Sequence, residues 1–396
     1  MKPLDGLVIL DLSRVLACPF ASMILAELGA RVIKVEQPGT GDETRTFEPQ
    51  LEKDSAYYFA CNRSKESITV NLRSDEGRKL VRRLAEKADV LVENFPVGTL
   101  GRHALDFATL STTNEKLIYV SCTGFGQTGP YRDKKGYDTV FQAMGGLMSL
   151  TGEQGGDPVK PGLPVADLTS GLWVAIAILA SLAGRARTGK GCHVDFSMLD
   201  GQVSLLTIAA ARFFALNEIP PRLGTEHPGR VPSATFRCAD GRFAHITASD
   251  QHWQALLTAL GLEKTKIGSD PIFLTNAGRV EHREEVMRAL TERISSLERK
   301  NLIALLDEAD VPVGPVNDVA EILSDPHVRA RGLVGSFDYP GVGEFRALGV
   351  PYKFLGWDDP QVGRPPVLGE HTESLLSDML GLSREDIQRL REAKAI

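Results

Sequence analysis

Gly6–Leu12, Ala30–Val35, Asp89–Glu93 and Leu117–Ser121 are short, apolar and rich in Val, Ile and Leu, and helical patterns fill Phe20–Leu28 and Ser74–Ala88 between them. Strands separated by helices join as parallel neighbours through right-handed crossovers, which cover both faces of the sheet. The expected fold is therefore α/β, a doubly wound, largely parallel, Rossmann-like sheet, with any ligand along the edge formed by the strand ends. At 396 residues the chain exceeds what one core usually supports, so a second domain is expected.

Beyond residue 200 the texture changes. Asp200–Asn217 reads as one apolar helix, and Glu218–Pro232, rich in Pro, Gly, Arg and His, as a linker or loop. A hairpin with an Asp240-Gly241 turn follows, then helical patterns at Gln251–Leu260, Arg279–Ile294 and Glu298–Ala309. These imply a large α/β domain from 1–224, a smaller α+β domain from 225–325, and a return to the large domain over 326–396. The last segment carries scattered Pro and Gly before helices near His371–Leu380 and Ser383–Ala393.

Composition narrows the chemistry. A net charge of −6 argues against a nucleic-acid partner. Five scattered cysteines without a C-x-x-C spacing fit reduced thiols and a cytoplasmic setting, and no signal-peptide pattern opens the chain. The longest apolar run, broken by Gly171, reads as too short to span a bilayer. Dispersed histidines, with no H-E-x-x-H, G-x-S-x-G or Walker pattern, point away from a metal site or a serine triad. Gly124-Phe-Gly126-Gln-Thr-Gly129 follows an expected strand, but Pro130 and a charged run replace the helix a dinucleotide fingerprint requires. No NAD site is expected there, and the glycines read as a turn lining a pocket.

The stretch from Lys134 to Ser170 centres on Asp167, directly before the uncharged run Leu168–Leu182, which closes with Arg185, Arg187 and Gly189. This reads as a buried helix with a basic last turn and a glycine stop. Asp167 then stands at its N-terminus, where N–H groups and the helix dipole favour an ionised carboxylate at neutral pH. On the local pattern alone, a plain helix cap explains Asp167 better than a nucleophile does, because caps are far commoner.

Several motifs in sequence order carry a family resemblance: Pro3-Leu4-Asp5-Gly6, Gly29–Glu36, Asn62-Arg63-Ser64-Lys65, Glu93-Asn94-Phe95, Gly136-Tyr137-Asp138, Val165-Ala166-Asp167 and Leu368-Gly369-Glu370-His371. Along essentially its whole length the chain resembles the class III coenzyme A transferases, a group that also includes 2-methylacyl-CoA racemases. The resemblance implies an interlocked homodimer with long extended linkers near 200–230 and 325–345. It also implies that Asp167 is the covalent nucleophile and that CoA, as acyl-CoA, meets Leu16, Ala17, Val70, Arg73, Asn94, Phe95, Arg102, Lys135 and Tyr137. Gln37 departs from the arginine found there in the formyl-CoA enzyme. Arg73, Arg102 and Lys135 suit phosphates, Phe95 suits adenine, and N–H groups near Leu16 and Ala17 or from the Gly229 loop suit an oxyanion.

The Glu226–Arg230 loop is the candidate lid, and its departure from an all-glycine loop argues against oxalate. The run Gly145–Gly152 resembles the branch that uses succinyl-CoA and dicarboxylates, where His227, Gly229 and Arg230 would meet the substrate. The racemase alternative needs a second base, and Tyr137 stands where that branch has histidine; a tyrosine with an ordinary pKa near 10 suits proton abstraction poorly. A non-catalytic CoA- or nucleotide-binding protein is the remaining alternative. No metal is expected.

Overall fold

Six strands pair in parallel: β1 (Val8–Asp11), β2 (Arg31–Glu36), β3 (Glu66–Thr69), β4 (Val90–Glu93), β5 (Ile118–Thr123) and β6 (Cys192–Ser197), in the order β3-β2-β1-β4-β5-β6. The computed structural model describes residues 1–396. The doubly wound sheet was legible from its four apolar strands. β3 and β6 were not, because they are the two edges: Glu66-Ser67-Ile68-Thr69 is mostly polar, and β6 alternates more and less exposed positions.

Strand alternation sorts two cores. Leu10, Leu12, Ile33, Ile68, Leu91 and Tyr119 point to the face covered by α3 (Asp75–Ala85), Leu375 and Leu376 of α11 (Thr372–Leu380) and Ile387 of α12 (Arg384–Glu392). Ile9, Val32, Val90, Val92, Ile118 and Val120 face α1 (Ala17–Glu27) and α5 (Val165–Thr188). α1 starts three residues before the expected Phe20, because Pro19 is tolerated in a first turn, where its missing N–H costs nothing. Tyr58 and Phe59 of α2 (Ala56–Asn62) pack with Phe337 and Tyr339 of a hairpin, β10 (Val334–Tyr339) and β11 (Gly343–Leu348).

The chain divides into two units: Met1–Leu147 with Lys160–Ala211 and His327–Ile396, and Met148–Val159 with Arg212–Pro326. The expected boundaries are corrected accordingly, since 148–159 and 212–224 belong with the smaller unit. The cause is tertiary: the Arg222 guanidinium donates to Gly156 O (2.6 Å) and Ser149 O (3.2 Å), and Gly224 N–H to Gly152 O (2.9 Å). The smaller unit has an antiparallel sheet of β7 (Ser233–Arg237), β8 (Phe243–Thr247) and β9 (Val313–Pro315), with its own core including Trp253 of α8 (Asp250–Leu260), Leu290 of α9 (Arg283–Ile294) and Leu302 of α10 (Arg299–Glu308).

Four expectations fail within single elements. The apolar helix expected over Asp200–Asn217 is two, α6 (Met198–Ser204) and α7 (Thr207–Leu216), bent by 66°. Of the linkers expected to be extended near 200–230 and 325–345, the first begins with these two helices and is irregular only from 217 onward, and the second is a short helix (Pro326–Ala330) followed by the β10–β11 hairpin. Arg279–Ile294 splits at His282, whose φ and ψ (−105°, 34°) leave the helical region. Finally, α5 is not wholly buried and not short: at 24 residues it is long and apolar enough to cross a membrane. Ala166, Ser170, Gly171, Val174 and Ile178 form its buried face, while Leu172, Trp173, Ile176 and Leu179 are exposed on the single chain.

Candidate active site

The strand order reverses between β1 and β4, and in such sheets ligands settle outside the C-terminal strand ends at that point. Here β1 runs into Leu12, Ser13 and Arg14, and β4 through Asn94 into Phe95; Leu12, Ser13, Arg14 and Phe95 line a crevice with Val70, Gln37, Lys34 and Asp42. Asn94 grips the β1 turn from both sides, its Oδ1 accepting Arg14 N–H (2.9 Å) and its Nδ2 donating to Arg14 O (2.8 Å). The Arg14 guanidinium lies 4.7 Å from the centre of the Phe95 ring, a cation over an aromatic face at the mouth of the crevice. Glu93 accepts Phe95 N–H (2.8 Å), and burial pushes its carboxyl up to about 7 against its hydrogen bonds with Ser121 and Phe95.

The chain then enters α1 through an unusual turn. Val15, a β-branched residue, has φ of 66°, and Leu16 caps the helix without a side-chain bond. The N–H groups of Leu16, Ala17 and Cys18 meet no acceptor, as the first N–H groups of a helix do when left for a ligand.

α5, which carries Asp167, packs against the start of α1 through Gly171. A Cβ on Gly171 would stand 2.6 Å from Ala17 O and 2.9 Å from the Phe20 ring, so glycine is what lets α5 lie against the start of α1. Asp167 is one helical turn earlier on the same face, about 6 Å along the axis. It occupies the third position of α5, and the helix cap is a different acid. Asp138 opens α4 (Asp138–Met144); its Oδ1 accepts the N–H groups of Ala166 (2.8 Å) and Asp167 (3.1 Å), and its Oδ2 accepts from Gln142 Nε2 (2.6 Å). The expectation of a comfortably ionised Asp167 is therefore wrong: Asp138 already takes the helix N-terminus. Burial, with the Asp138 charge adding to it, pushes the Asp167 carboxyl up to about 7.

Of the other expected site residues, Val70 and Phe95 line the crevice, Asn94 holds the main chain of Arg14 beside it, and Leu16 and Ala17 stand at the α1 turn. Arg73, Arg102 and Lys135 are exposed and do not line the crevice; Arg102 donates to Thr99 Oγ1 (3.2 Å). Tyr137, next to Asp138, is 82% exposed. His227, Gly229 and Arg230 belong to the smaller unit. There His227 Nδ1 accepts Gly229 N–H (3.1 Å), and Arg283 donates to His227 O and Pro228 O (2.9 Å each). The glycines of 124–129 follow β5; a Cβ on Gly124 would meet the Phe141 ring at 2.6 Å, so it serves close packing, while Gly126 and Gly129, at φ of 83° and 88°, form the expected turn, and none of the three lines the crevice. Arg14, Asp138 and Gln142 were given no role from the sequence. Arg14 had a faint signal as a cation straight after β1, while Asp138 caps a helix 28 positions away and left none.

The family model for CoA-transferase family III matches residues 4–372. The chain is 38% identical to the succinyl-CoA:glutarate CoA-transferase of Mus musculus, over 98% of this chain and 89% of that protein. It is also 38% identical to the succinate–glutarate CoA-transferase of Agrobacterium fabrum, over 96% and 97%. The crystal structure of a CAIB/BAIF family protein from Brucella suis superposes with a TM-score of 0.86 at 41% identity, over 96% of this chain and 99% of that one.

Proposed function

The chain belongs to CoA-transferase family III, and from that premise we propose that it moves CoA from succinyl-CoA to a small dicarboxylate by way of Asp167. The observation that carries this reading is the desolvated Asp167 carboxyl on a helix laid by Gly171 against the open N–H groups at the start of α1.

The ionised carboxylate attacks the thioester carbonyl; the C–S bond breaks, leaving a mixed anhydride and CoA thiolate. The thiolate attacks the aspartyl carbonyl, breaking its bond to the succinyl oxygen and releasing succinate. The acceptor carboxylate then attacks the aspartyl-CoA thioester, and thiolate attack on the new acyl group regenerates Asp167. No proton is consumed. Each step passes through an oxyanion, for which the N–H groups of Leu16 and Ala17 are the donors; one such donor typically lowers a barrier by about 3 kcal/mol. Phe95 and Val70 would receive the nucleotide end of CoA, with Arg14 and the exposed Arg73, Arg102 and Lys135 as cations for its phosphates.

The glutarate named in both relatives points to five-carbon acceptors. Incubation with succinyl-CoA and a panel of four- to six-carbon dicarboxylic acids, followed by mass spectrometry, is expected to give new acyl-CoA and succinate in equal amounts. Hydrolysis to free CoA without acyl exchange would refute the reading.

We further propose a homodimer. Leu172, Ile176 and Leu179 form an exposed apolar stripe on α5 beside Trp173, and Ile208 and Phe214 of α7 are about 80% exposed. The native mass should be twice 43.0 kDa, and Ile176→Lys is expected to shift it to the monomer; a monomeric wild type would contradict this.

A further inference from the structure

Directly beneath the α1 turn lie two buried ion pairs that the proposed chemistry does not use. Lys34 Nζ meets Asp42 Oδ2 at 2.8 Å, and Lys65 Nζ meets Asp11 Oδ2 at 3.1 Å; all four side chains are 0–1% exposed. Burying four charges is expensive, and well-packed apolar residues stabilise a core at least as well, so stability alone does not account for them.

Their hydrogen bonds end on the main chain of the turn. Asp11 Oδ1 accepts Ser13 N–H (2.9 Å), Lys34 Nζ donates to Ser13 O (3.0 Å), and Asp42 Oδ1 accepts Val15 N–H (3.4 Å). Lys65 Nζ donates to Pro19 O (2.9 Å), and Asn94 holds both main-chain groups of Arg14. The segment is thus anchored at 13, 14, 15 and 19, while the N–H groups of 16, 17 and 18 are left open. Between anchor and opening stands Val15 at φ 66°, a conformation a β-branched residue leaves unless its surroundings hold it.

We propose that the Asp11–Lys65 and Lys34–Asp42 pairs are positioning residues that hold Ser13–Ala17 in its strained pose, so that the Leu16 and Ala17 N–H groups stand preset for the reacting carbonyl. This rests on the reading of Asp167 as the acyl acceptor. Preorganised donors cost no rearrangement when charge develops, which is why a stiff support under the turn counts toward kcat rather than toward binding.

The test is the double variant Lys65→Met with Asp11→Asn, which removes both charges of one pair together, strands neither, and alters no residue lining the crevice. Its kcat is expected to fall by roughly 10- to 100-fold with KM for succinyl-CoA within about twofold, and amide hydrogen exchange over residues 12–22 is expected to quicken. Adding Val15→Gly should recover several-fold in kcat, because glycine holds a positive φ without strain; a purely structural defect would not respond. Lys34→Met with Asp42→Asn, which likewise removes both charges of a pair, serves through its exchange over residues 12–22 if the first double variant does not fold. A folded variant with wild-type kcat, or with wild-type exchange over 12–22, overturns the proposal. Failure of the wild type to exchange CoA would instead sink the transfer reading, and the exchange measurement would still judge the turn.

Discussion

Asp167→Asn is expected to reduce CoA transfer by at least about 10³-fold and, above pH 7, to make the protein more stable than the wild type. The first effect follows because an amide cannot form the anhydride, so the neighbouring N–H donors and the crevice have no covalent step to assist. The second follows from linkage. Burial raises the folded carboxyl to about 7 from an ordinary value near 4, so the folded state holds its proton more tightly than the unfolded chain does. That contribution is present in full below about pH 4 and is lost as pH rises through 7; at pH 8 the ionised group costs on the order of 2–4 kcal/mol. Asparagine never ionises and escapes the cost. Denaturant unfolding at pH 5 and pH 8 should show the advantage of the variant growing with pH. Intact mass after succinyl-CoA should show a CoA adduct, discharged by hydroxylamine, on the wild type alone. More than a tenth of wild-type transfer in the variant would remove Asp167 from the mechanism, and a stability difference independent of pH would mean that burial does not raise its carboxyl.

Asp138→Asn separates the two causes of the raised Asp167 carboxyl. Attack requires the carboxylate, so the rate of enzyme acylation in the wild type should climb with pH through about 7 and level off near 8. At pH 6 it should stand at about a tenth of the plateau. Asparagine keeps an acceptor for the Ala166 and Asp167 N–H groups and removes the negative charge beside Asp167. The rising limb is therefore expected to move to lower pH by about one unit, with the plateau within a few-fold of wild type. Single-turnover acylation across pH 5 to 9 reads both. A limb that stays in place would mean that burial alone sets the Asp167 carboxyl.

The two acids show where sequence reasoning stops. Asp167 could be placed at the start of a helix because the uncharged run behind it has a period, a length and a glycine stop that neighbouring residues determine. That Asp138, rather than Asp167, caps this helix depends on a turn folding back across 28 positions, and with that cap goes the protonation state of the nucleophile. The same division runs through α5, whose apolar composition announced a helix without telling a core helix from one with a bare apolar stripe.

Local pattern determined the four inner strands of the parallel sheet, the helices between them and the motifs along their ends, because strand and helix periodicity are set by adjacent residues, whereas the strand order and its point of reversal came from the packed sheet. Tertiary structure alone decided which charges lie beneath the α1 turn, which N–H groups stay open and how dry the Asp167 carboxyl is. Burial and electrostatic coupling belong to groups far apart in the chain, and they exist only once those groups are packed together.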